Sequence, residues 1–202
     1  MSVLVGLDIG GSTTKIVGLK DGLLISKELV KASDPVASAF GALGKFISKN
    51  QLTIQDIERV MVTGVGATYL QGNLLNIPTI RVLEFRAIGL GGLYVSGLKE
   101  AIVVSMGTGT AIVRACEKEV EHLIGSGVGG GTLLGLSNRM INVRDFAMFN
   151  EMAEKGDLSH IDLTIGDISH DEIPGLSSDT TASNFGKISD TATHEDIALG
   201  IV

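Results

Sequence analysis

The sequence predicts an α/β fold in which two domains each contribute a phosphate-binding hairpin across a cleft. Three observations carry that expectation. Apolar runs with strand character alternate with segments of helical period. The opening plan over Val5 to Val17, apolar strand, glycine and hydroxyl turn, apolar strand, returns over Ile102 to Val113. Finally, 27 of the 202 residues are glycine, about twice the usual ~7%, gathered in clusters that suggest tight backbone positions facing a ligand.

The elements follow in order. Val3 to Ile9 reads as a strand, Gly10-Gly11 as its turn and Thr13 to Leu19 as the return strand. Asp21-Gly22 is a hairpin turn into a third strand, Leu23 to Val30. Asp34 and Pro35 form an N-cap and N1 pair, followed at helical spacing by Val36, Ala39, Phe40, Leu43, Phe46 and Ile47, which predicts a helix over 35–49. Glu58 to Val62 is a strand ending at Thr63-Gly64-Val65-Gly66, and Ile77 to Val82 is another. A helix over Glu84 to Ser96 carries costly glycines at 89, 91 and 92, read as sites of close packing. The second half repeats strand, turn and strand, then reaches Gly125-Ser-Gly-Val-Gly-Gly-Gly-Thr132 and Leu133, Leu134 and Leu136. This glycine loop, feeding a helix N-terminus at Gly129, Gly130 and Gly131, is expected to present free amides to an anion. Residues 145–155 read as helical, 156–186 as loops with short elements, and Asp196 to Val202 as a helix beginning without cap or stop. The expected domains are 1–98 and 99–202.

Composition excludes several function classes. With 44% apolar and 19% charged residues the chain is globular, not disordered. Its net charge of −7 argues against non-specific nucleic-acid binding, although residues 1–144 carry +3 and residues 145–202 carry −10. That acidic segment is a solvated face or a partner surface. The only cysteine, Cys116, permits no intrachain disulfide and suggests a reducing compartment. The N-terminus lacks signal-peptide character, and no apolar run reaches membrane-spanning length. The expectation is a soluble cytoplasmic protein.

There is no GxxxxGK(S/T) loop and no GxGxxG after the first strand. The strand ends instead in Asp8-Ile9-Gly10-Gly11-Ser12-Thr13-Thr14-Lys15. A carboxylate beside a glycine turn can hold hydrated Mg²⁺, while the glycines let amides and hydroxyls approach phosphate. Lys15 is either a phosphate contact or a solvated strand residue. Glu84 sits where a strand meets a helix, placed to accept a hydroxyl proton or to act only as a helix-start residue. Arg86 is an anion contact or a surface charge. His122, His160, His170 and His194 form no metal-ligand spacing; His170-Asp171-Glu172 is the one weak metal candidate, and no Ser-His-Asp order stands out.

These motifs resemble the type II pantothenate kinases, within the acetate and sugar kinase, Hsp70 and actin superfamily. The resemblance rests on Asp8-x-Gly10-Gly11-Ser12-Thr13-x-Lys15, Glu84-Phe85, Met106-Gly107-Thr108-Gly109-Thr110, Gly129-Gly130-Gly131-Thr132 and Ala182-Ser183-Asn184-Phe185-Gly186. It implies a ribonuclease-H-like, actin-type ATPase fold, one domain complete and part of a second, usually dimeric and cytoplasmic. It further implies Glu84 as the carboxylate activating the pantothenate hydroxyl and Asp8 as organiser of Mg²⁺. Gly10, Gly11, Ser12, Thr13, Lys15, Thr108, Gly109 and Gly129 to Gly131 would surround the ATP phosphates, and Thr181 would lie near the substrate. Two departures stand out. His122 occupies a position before the glycine loop where the family commonly has a substrate-contacting arginine, a weaker carboxylate partner when neutral. The family also continues well beyond the length seen here, implying a chain cut short. The resemblance leaves two alternatives: a kinase for pantetheine or another small alcohol, and a non-catalytic module that binds nucleotide, senses acyl-CoA or dimerises. The related iron–sulfur activator ATPases fit poorly, because one cysteine cannot supply a cluster.

Overall fold

The computed structural model describes residues 2–11, 13–31, 34–171 and 173–202. The chain divides into two compact units, Met1–Ser105 with Ala111–Gly125, and Met106–Thr110 with Ser126–Val202. The fold is mixed α/β, of the ribonuclease-H-like, actin-ATPase kind.

The first unit is built on a five-stranded sheet. Strands β1 (Val3–Ile9), β2 (Thr13–Lys20) and β3 (Leu23–Lys31) form an antiparallel meander, and β4 (Ile57–Thr63) and β5 (Thr79–Arg81) add parallel strands, in the order β3-β2-β1-β4-β5. Helix α1 (Pro35–Lys49) supplies the crossover between β3 and β4. Alternation sets the packing: Val3, Val5, Leu7 and Ile9 of β1 are buried with Val60 and Val62 of β4 under α1. As expected, Asp34 caps α1, its carboxylate accepting from the Ala37 amide at 2.7 Å. The buried stripe of α1 is Ser38, Ala39, Ala42, Leu43 and Phe46, whereas Phe40, expected inside, is 41% exposed. Phe40 lies about 100° round the helix from Ala39, at the margin of that stripe. Buried Thr14 of β2 meets Ser38 hydroxyl to hydroxyl at 2.9 Å, and Ser38 donates onward to the Pro35 carbonyl.

Strand β5 is shorter than the expected Ile77 to Val82. Leu75 and Asn76 are left-handed, and the Ile77 amide turns back to the Leu74 carbonyl at 2.8 Å. Pro78 has no amide to donate, so pairing begins at Thr79.

Helix α2 (Glu84–Ser96) spans the predicted residues and leads into a three-stranded sheet of β6 (Glu100–Met106), β7 (Thr110–Cys116) and β8 (Val120–Ser126). A side chain at Gly89 would stand 2.7 Å from Val120 and 3.0 Å from Ala115, so glycine lets α2 lie directly on that sheet. At its far end, the Tyr94 hydroxyl donates to the Gly22 carbonyl in the β2–β3 turn at 3.1 Å.

In the second unit, α3 (Gly130–Ile141), α4 (Phe146–Ala153) and α6 (His194–Ile201) enclose a small core of Ile141, Val143, Phe149, Ala153, Ala198 and Ile201. Between them lie β9 (Leu163–Thr164), α5 (Ile165–Ile168) and β10 (Thr181–Ser183), the short elements expected within 156–186. Asp196 of α6 is buried and accepts from the Thr193 amide at 2.9 Å, the Asp157 amide at 2.8 Å and His160 Nδ1 at 3.1 Å. Among the described residues, no helix is long and apolar enough to cross a membrane.

Candidate active site

In the first unit the candidate carboxylates Asp8 and Glu84 lie at the carboxyl-end edge of three adjacent parallel strands, β1, β4 and β5, where open α/β sheets bind ligands. Asp8, next to last in β1, pairs with Thr63 at the end of β4. The Thr63 hydroxyl donates to the Val82 carbonyl at 3.1 Å, and the Val82 amide donates to the Val62 carbonyl at 2.8 Å. These bonds carry the β4–β5 alignment past Arg81 and deliver Leu83 and Glu84 to the same sheet edge. Glu84 is the first residue of α2, where a carboxylate is stabilised by the helix dipole.

Across the hairpin, Lys15 of β2 faces Asp8, and its Nζ donates to Asp8 Oδ2 at 2.9 Å. With the Lys15 side chain 55% and the Asp8 side chain 35% exposed, this pair fixes geometry more than it adds stability. The other oxygen is walled by backbone: a Cβ at Gly64, whose φ is +86°, would stand 2.5 Å from Asp8 Oδ1. Gly10 closes the turn, its amide donating to the Thr13 carbonyl at 2.9 Å. Gly11 is different, because among the described residues a side chain there would meet nothing within 4 Å. Packing therefore does not require glycine at 11, and the open space suits the close approach of an anion. Ser12 lies outside the described residues.

Glu84, Arg86 and His122 line one pocket of about 350 Å³ together with Leu83, Phe85 and Val120. The His122 imidazole stacks on Phe85, with ring centroids 4.1 Å apart and planes 11° from parallel. The strand carrying His122 was not expected from the sequence. Its signal was the alternation Val120, His122, Ile124, obscured by the polar ring at the middle position.

In the second unit the glycine loop differs from its expected form. The amides of Gly130 and Gly131, in the first turn of α3, donate to the carbonyls of Gly107 at 2.8 Å and Thr108 at 3.0 Å. They bind the Gly107-Thr108-Gly109 turn to α3 and so are not free for an anion. Side chains at Gly129 and Gly131 would stand 2.8 Å and 3.0 Å from the Thr108 carbonyl, and the Thr110 hydroxyl donates to the Val128 carbonyl at 2.8 Å. Thr108 and Gly109 thus form one rigid assembly with Gly129 to Gly131. Thr181 lies apart from that assembly in β10, paired with Thr164. Beside it, the Lys187 ammonium and then the Thr164 amide hold the Asp167 carboxyl down at about 2.

Magnesium takes one or two protein carboxylates and completes its shell with phosphate and water. Asp8 fits that donor set, and among the described residues no three His, Cys, Asp or Glu side chains cluster to build a protein cage. The weak candidate His170-Asp171-Glu172 gains no support, and Glu172 lies outside the described residues.

Comparison with known proteins agrees with this architecture. Residues 100–199 match the family model described as Fumble. The chain is 33% identical over 190 residues to the type II pantothenate kinase of Staphylococcus aureus (strain USA300), covering 91% of this chain and 66% of that relative. Among solved structures it is similar to the activator of the 2-hydroxyisocaproyl-CoA dehydratase from Clostridium difficile with bound ADPNP. There the TM-score is 0.66 at 19% identity, over 98% of this chain and 70% of that one. Component A of the Acidaminococcus fermentans (R)-2-hydroxyglutaryl-CoA dehydratase gives a TM-score of 0.64 at 16% identity, over 82% of this chain and 62% of that one. At such identities these two structures attest the fold alone. The chain is a member of the Fumble and type II pantothenate kinase-like family, within the actin, Hsp70 and sugar-kinase superfamily.

Proposed function

We propose that the protein transfers the γ-phosphoryl group of ATP to the hydroxyl of pantothenate, giving 4′-phosphopantothenate, the entry step to coenzyme A. The observation that carries this reading is the placement of Asp8 and Glu84 along the same edge of one sheet, with Glu84 lining a pocket that also holds Arg86. When bound, ATP supplies the phosphoryl group and magnesium its counter-charge. Glu84 accepts the proton of the attacking hydroxyl and aims its oxygen in line. Arg86 and His122 draw an anionic substrate into the pocket, and Thr181 contacts the substrate. Asp8, whose side chain is 35% exposed, would hold the metal. Gly11, Ser12, Thr13 and Lys15 would receive phosphate oxygens, as would Thr108 and Gly109, with Gly10, whose amide closes the β1–β2 turn, and Gly129 to Gly131 supporting the two turns. The domain assignment 1–98 and 99–202, a homodimer and a cytoplasmic location belong to the same proposal.

Incubating the 202-residue chain with MgATP and pantothenate should yield 4′-phosphopantothenate by mass spectrometry; ADP release independent of added alcohol would refute the transfer. His122, standing where the family commonly has arginine, favours a second reading in which the acceptor is pantetheine or another small alcohol. A substrate panel ranked by kcat/KM separates the two.

A further inference from the structure

The first turn of α2 carries Glu84 but lacks the usual means of holding such a turn in place. Its N-cap residue is Leu83, which makes no side-chain capping bond. Leucine ranks far below Ser, Thr, Asp or Asn as an N-cap. Glycines at 89, 91 and 92 further weaken the helix. What the turn does possess lies on one face. Phe85 and Gly89 are four residues apart and share a side of α2. Val120 and His122 are two apart and share a side of β8. Gly89 meets Val120, and one turn earlier Phe85 stacks on His122.

We infer that His122 is a positioning residue: its ring clamps Phe85, and through Phe85 fixes the uncapped turn that carries Glu84. The inference rests on Glu84 being the reacting carboxylate, and concerns the ring as a surface, separate from any charge it offers a substrate. Aromatic side-chain pairs stabilise by roughly 0.5–1.5 kcal/mol beyond burial, about 2–12-fold in a local opening equilibrium.

The test is amide exchange at Ala87, whose amide makes the first bond of the helix to the Leu83 carbonyl at 3.0 Å, read beside kcat. In His122→Ala, Ala87 should exchange roughly 2–12-fold faster while the amides of β1 keep their rates, and kcat should fall. His122→Phe, which keeps a flat ring without the imidazole, should recover the Ala87 protection and most of the lost kcat, whatever it does to KM. Unchanged exchange at Ala87 in His122→Ala, no recovery in His122→Phe, or equal loss over the amides of β1 each overturns the proposal. A wild-type chain without transferase activity refutes the reading of Glu84 instead, and leaves the exchange result to decide the clamp.

Discussion

Glu84 and Gly64 bear the most specific expectations at the scale of single residues. Glu84→Gln keeps the size of the side chain but removes the base, so kcat should fall about 10²–10⁴-fold with KM little changed, measured by coupled ADP release. Gly64→Ala places a methyl against Asp8 Oδ1 in a backbone conformation that L-residues seldom adopt. It should cost roughly 1–3 kcal/mol in urea unfolding and weaken MgATP binding by calorimetry. The contrast between these residues shows what the sequence discloses. Asp8 and Glu84 stand out in the sequence because a carboxylate beside a glycine turn, or at a strand-to-helix junction, can hold a cation or take a proton, although Glu84 reads equally as a helix-start residue. Gly64 read only as a strand end, because its role depends on the parallel pairing of β1 with β4, which no local pattern encodes. The stacking of His122 on Phe85 was hidden for the same reason: the two rings are distant in sequence and meet only when α2 lies on β8.

Elements were legible where their boundary chemistry is local. The Asp34 cap, Pro35 and the Asp21-Gly22 turn determine where α1 begins and how β2 meets β3, and β1 and α2 likewise match their expected spans. Asp34→Ala should therefore cost about 1 kcal/mol, seen as a lower urea midpoint at constant slope. Expectations failed where local backbone geometry or a partner overrides the apolar pattern. Strand β5 is cut short by a turn its own residues enforce, Phe40 falls just outside the buried stripe, and the first amides of α3 are taken by carbonyls of the neighbouring turn.

Across the whole molecule, acid sensitivity concentrates in the segment that carries the excess negative charge. Lys187 and Thr164 hold Asp167 down at about 2, and the Thr193 and Asp157 amides hold Asp196 well below the usual carboxylate range. A carboxyl depressed by folding contributes stability above its unfolded value of ~3.9 and loses it as pH falls through the folded one. Residues 126–202 should accordingly lose amide protection between about pH 4 and 2, followed by acid-pulsed hydrogen exchange. Asp167→Asn should flatten that dependence.

The bond from Tyr94 to Gly22 joins residues 72 apart in the chain. Such a contact can form only after the β2–β3 turn and α2 each exist, so it belongs to the late side of the folding barrier. Tyr94→Phe should then leave the refolding rate nearly unchanged and raise the unfolding rate, a low φ-value measurable from the two arms of a chevron. The hydroxyl would act as a latch on escape from the native state, governing how long α2 stays docked rather than how fast it arrives.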